Sequence, residues 1–169
     1  MECSHELLMH IAKRFDRIII TGNQRSGTTF CAKALAKELK YHHIDEMYFE
    51  ADRVSRFEGL LNYYSRAVFQ APALLHIMPK YQDNLLIVVM QRRTIDIVTS
   101  MERINWFSRF GQAEYNKFQE GICSTPEQLV ETKKQFSQKL KALHLPYTEL
   151  KHFEGFVDKR IGWGEKQTE

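Results

Sequence analysis

Eight residues, Gly22-Asn23-Gln24-Arg25-Ser26-Gly27-Thr28-Thr29, place two glycines around a run of polar and cationic side chains. A turn of this composition suits one chemistry well. Glycines let the backbone curl tightly, successive N–H groups point inward, and a following helix adds the positive end of its dipole, so that an oxyanion is held. The spacing G-x-x-x-x-G is that of a phosphate-binding turn. Asn23, Gln24, Arg25, Ser26, Gly27, Thr28 and Thr29 are therefore candidate ligands of an anion, with a turn that merely joins strand to helix as the plainer alternative.

A nucleotide triphosphatase places lysine directly after the second glycine, where it reaches the terminal phosphates, but this chain has Thr28 there. Its positive charge sits inside the turn, at Arg25. A second cationic patch, Arg92-Arg93, precedes Thr94-Ile95-Asp96-Ile97-Val98-Thr99-Ser100. On a helix Ser100 lies about two turns beyond Arg92, so a guanidinium and a hydroxyl are able to share one phosphate. Solvated arginines beside an ordinary helix are the alternative.

These residues need elements to hold them. Arg17 to Thr21 is a β-branched apolar run ending at Gly22, the pattern of a strand buried on both faces, and Thr29 to Leu39 is rich in helix formers. Tyr41 to Ile44 reads as a second strand ending in Asp45-Glu46, and Asn84 to Met90 as the central strand, delivering Arg92 to its carboxyl end. Helices are expected before the first strand, within residues 1–14, and over 53–70, 72–79, 94–106 and 126–143, the last capped by Thr125. A final strand is expected over Tyr147–Lys151 and a loose polar tail over 158–169. Alternating strands and helices predict an α/β fold with three layers, α/β/α, around a central parallel sheet. Ligands of such sheets bind at the carboxyl ends of the strands, where both cationic segments fall.

The string Gln24-Arg25-Ser26-Gly27-Thr28-Thr29-Phe30 resembles the 5′-phosphosulfate loop of sulfotransferases that use 3′-phosphoadenosine 5′-phosphosulfate, PAPS. The segment Arg92, Asp96, Ser100 matches the spacing of that family's 3′-phosphate motif, and Lys159-Arg160-Ile161-Gly162 is a weaker third match. The resemblance implies a P-loop fold, PAPS as donor with PAP as product, no metal, and a small-molecule or glycan acceptor. It also implies that Arg25 stabilises charge on the transferring group. Glu46 is implied as general base, in a position resembling the acidic residue after strand two in the Golgi-type branch, with a solvated loop carboxylate as the alternative. His43, His42 and His76 are further base candidates, since a histidine pKa near ~6.5 suits proton transfer. Two departures stand out: Arg93-Thr94 replaces the family's Asn-Pro or Asp-Pro, and the chain is short for the family.

Composition narrows the rest. At 169 residues, 43% apolar and 12% aromatic, the chain suits a single folded domain spanning 1–169. A net charge of +3 gives no broad field for nucleic acid or a membrane surface. Cys3, Cys31 and Cys123 form no Cys-x-x-Cys pair, which argues against a thiolate metal site and for a reducing, cytoplasmic setting. No signal peptide or membrane span is expected. Aromatics between Phe49 and Tyr81 line an acceptor pocket or pack as core. The competing functions are a P-loop nucleotide or nucleoside kinase and a non-catalytic nucleotide-binding module.

Overall fold

A computed structural model describes residues 1–157. Its five strands are β1 (Arg17–Gly22), β2 (His42–Ile44), β3 (Ala67–Gln70), β4 (Leu86–Gln91) and β5 (Leu143–Pro146). All pair in parallel, in the order β2-β3-β1-β4-β5. The helices are α1 (His5–Ala12), α2 (Thr28–Leu39), α3 (Val54–Tyr63), α4 (Thr94–Arg103), α5 (Gln112–Asn116) and α6 (Pro126–Gln138). No helix among the described residues is long and apolar enough to cross a membrane.

Strand periodicity divides the core between the two faces of the sheet. Ile18, Ile20, Val88 and Met90 pack with Leu8, Cys31 and Leu35 of α1 and α2. Ile19, Ile87 and Val89 pack with Phe57 and Leu61 of α3 and with Leu74 and Leu75 on the opposite face. The result is the expected three-layer α/β/α arrangement, with β1 and β4 adjacent at its centre. Both carry continuous apolar runs because neither face meets water.

Three expected elements differ. The helix predicted over 53–70 stops at Tyr63, and Arg66 in the left-handed region (φ 52) turns the chain into β3, which the sequence reading missed. The helix predicted over 126–143 ends at Gln138, and its last residue opens β5. Tyr147–His152 is a 3-10 turn rather than a strand. Residues 159–162, the weak third match, and the predicted tail lie outside the described residues.

Candidate functional site

The glycine turn forms between β1 and α2. Gly22 (φ 125) and Gly27 (φ 95) occupy backbone regions that glycine reaches without a Cβ penalty. A Cβ on Gly27 would stand 2.8 Å from Leu150 Cδ1 and 3.2 Å from the Tyr147 ring, so the close approach demands glycine as much as the φ does. Arg25 is also left-handed, at φ 66, an unusual backbone for a side-chain-bearing residue. The turn is braced from within, since the buried Ser26 hydroxyl donates to the Asn23 carbonyl. It is also tied to α6, where the Asn23 amide donates to the Val130 carbonyl at 3.3 Å. At its end α2 begins, presenting the unsatisfied N–H groups of a helix N-terminus.

On one side of the turn lie arginines. Arg25 Nε donates to Ser100 Oγ at 2.9 Å, and Arg92 Nη1 donates to the Arg25 carbonyl at 2.6 Å. The Arg92 guanidinium stacks on the Tyr147 ring, 4.4 Å from its centroid. Arg103, one turn after Ser100 on α4, completes a cleft of about 130 Å³ whose described lining holds three arginines and no carboxylate. Burial, and then the repulsion of Arg103, pull the Arg25 pKa down from its ordinary value. An anion entering the cleft relieves that repulsion. Asp96 instead pairs with Arg93 at 2.9 Å on the exposed start of α4, and neither lines the cleft.

On the other side lies a carboxylate. Gln70, at the end of β3, sets its amide nitrogen 3.3 Å from Thr28 Oγ1, 3.0 Å from Thr29 Oγ1 and 3.2 Å from Glu46 Oε2. One buried amide thus links Glu46 to the turn. Burial, followed by the neighbouring Asp45 charge, raises the Glu46 pKa above the usual carboxylate range. His43 is not drawn into this group: the charges acting on its half-buried ring are Asp45 and Lys33, and burial lowers its pKa. The His42 ring meets that of Tyr64 at a 60° tilt, and His76 lies edge-on to Phe118. Phe49, Phe57 and Phe69 are core, in edge-to-face contact, while Tyr63 is exposed. No three His, Cys, Asp or Glu side chains group as metal ligands among the described residues.

Sequence reasoning missed Gln70, Arg103, Glu114 and Lys133. Arg103 was within reach of it, because its spacing from Ser100 puts both on one helix face. The others have no local signature. Lys133, wholly buried on α6, donates to Gln24 Oε1 at 2.6 Å and to Glu114 Oε1 at 2.9 Å.

No protein-family model and no curated protein matches the sequence. Among solved structures, shikimate kinase from Acinetobacter baumannii, in complex with shikimate, is similar with a TM-score of 0.51 and 13% identity, over 95% of this chain and 98% of that one. Shikimate kinase from Bacteroides thetaiotaomicron is similar with a TM-score of 0.54 and 13% identity, over 81% and 92%. A mouse sulfotransferase complexed with PAP is similar with a TM-score of 0.51 and 16% identity, over 98% of this chain and 70% of that one. The fold is P-loop kinase-like. The glycine turn follows the carboxyl end of β1, the middle strand of the sheet.

Proposed function

We propose that this P-loop protein is a sulfotransferase that takes PAPS as donor and moves its sulfuryl group to a hydroxyl or amine acceptor. The carrying observation is the Arg25–Ser100 hydrogen bond of 2.9 Å, which joins two segments remote in sequence into one cationic cleft. The cleft suits a ligand with two separate anionic groups. Main-chain N–H groups of the turn and Arg25 hold the first, while Arg92, Ser100 and Arg103 face the second. The rings of Phe30, Tyr147 and Phe156 also line the cleft, which at about 130 Å³ is smaller than the roughly 300–1,000 Å³ of typical ligand pockets and so leaves part of the donor outside it.

Bound PAPS supplies a sulfuryl group on a phosphate leaving group. The chain's own contribution is positioning and charge: Arg25 and the turn hold the oxyanion, and Glu46, linked to the turn through Gln70, accepts the acceptor's proton. The raised pKa of Glu46 brings it closer to neutral pH, where a general base works best.

Likeness of fold supports a second reading, phosphoryl transfer from a nucleoside triphosphate. The shikimate kinases match over 98% and 92% of their own lengths, against 70% for the sulfotransferase. The missing loop lysine weighs against it. Thermal stabilisation separates the two: adenosine 3′,5′-bisphosphate at 100 times its dissociation constant is expected to add about 2.7 kcal/mol, and ATP with magnesium little. Stabilisation by ATP-magnesium alone, with none from the bisphosphate, replaces the sulfuryl reading with the kinase one.

A further inference from the structure

Lys133 has no solvent exposure, and all three of its ammonium N–H donors are used inside the protein. They go to Gln24 Oε1 at 2.6 Å, Glu114 Oε1 at 2.9 Å and the Pro72 carbonyl at 3.3 Å. These acceptors belong to the glycine turn, to α5 and to the segment leaving β3. The second oxygen of Glu114 is taken by Lys117, which also donates to the Ala73 carbonyl at 3.1 Å and pairs with Asp52 at 3.2 Å. Burying such ions costs several kcal/mol, and an apolar residue of similar volume fills the same space without that cost. Space-filling therefore does not account for Lys133. Fixing one geometry does.

We infer that Lys133 and Glu114 are the positioning pair of the glycine turn, clamping the Gln24 side chain so that the turn is curled before any anion arrives. Gln24 immediately precedes Arg25, whose left-handed backbone (φ 66) is strained for a residue with a Cβ. Arg92 grips the Arg25 carbonyl at 2.6 Å on the far side. The strained residue is thus pinned from both ends, by Lys133 through Gln24 and by Arg92 directly. A turn ordered in advance loses less freedom when its ligand binds. Neither proposed donor is needed for this role, which both would exploit.

Amide hydrogen exchange on the ligand-free full chain tests the inference. Lys133→Met is expected to speed exchange of the turn amides from Asn23 to Thr29 about tenfold more than it speeds the β1 and β4 amides, which follow the global stability lost with the ion pair. Gln24→Met leaves the ion pair buried and is expected to do the same, and the double variant to go no faster than either single one. A merely structural lysine predicts something different: turn and strands speed up by the same factor in Lys133→Met, and Gln24→Met does not single out the turn. That result overturns the inference, as does a wild-type turn with no protection at all. If Lys133→Met does not fold, Gln24→Met decides alone, and unchanged turn protection there overturns it. Absence of binding by either nucleotide defeats the proposed function and leaves this result standing.

Discussion

At the scale of single residues, Glu46 sets a side chain's charge against its surroundings. Half-burial and Asp45 favour its neutral form, so the folded protein holds that proton more tightly than the unfolded chain. The sign follows: this group's contribution to stability is fully present below its ordinary 4.5 and is lost as pH rises through the elevated value. Glu46→Gln is therefore expected to raise the melting temperature at neutral pH, with the gain shrinking toward pH 4, as thermal scans at several pH values will show. In the same variant turnover is expected to fall about 10²–10⁴-fold, while bisphosphate affinity stays unchanged. Undiminished turnover would remove Glu46 as the base. The glycine turn was legible because its chemistry is local, two glycines and a guanidinium within eight residues, and Arg92 and Ser100 because helical spacing is local too. Gln70, Glu114 and Lys133 were not, because each acts on a partner distant in the chain, and no periodicity encodes such a meeting.

At the scale of elements, the junction of the turn with α2 leaves no room for a side chain. Gly27→Ala combines a left-handed φ of 95 with a Cβ 2.8 Å from Leu150, and is expected to cost about 1–3 kcal/mol in denaturant unfolding. Displacing the start of α2 is also expected to weaken binding of the proposed anionic ligand. Gly59, inside α3 with open space around its Cβ, is the control: Gly59→Ala is expected to stabilise by about 0.4–1 kcal/mol. Equal costs at the two sites would show that the Leu150 contact does not constrain the turn. The same local logic explains which elements could be read in advance. β1 and β4 announce themselves through runs such as Ile18-Ile19-Ile20 and Leu86-Ile87-Val88-Val89. β3 does not, because Arg66 makes its left-handed turn without a glycine to mark it, and Ala67-Val68-Phe69 continues the apolar spacing of α3. β5 has four residues, and its alternation of Leu143 and Leu145 on one face is too short to end a preceding helix on paper.

At the scale of the whole molecule, the Glu114 cluster ties acid stability to the carboxyl edge of the sheet. Burial alone would raise the Glu114 pKa, but Lys133 and Lys117 on its two oxygens outweigh that and hold it at about 2. A depressed carboxylate contributes stability that is present above its ordinary 4.5 and is lost as pH falls through about 2. Glu114→Gln is expected to flatten the acid limb of the stability profile over that window. At neutral pH it is expected to cost roughly 3–5 kcal/mol, by stranding a buried ammonium; a wild-type acid limb in the variant would assign acid sensitivity elsewhere. Strand order carries a further consequence. Among the described residues β1 hydrogen-bonds only with β3 and β4, and β2 only with β3, so neither early strand has a described sheet partner until Ala67–Gln70 exists. During synthesis the oily Ile18–Ile20 segment therefore waits without a described ladder while about fifty further residues emerge, an unpaired apolar edge open to association until then.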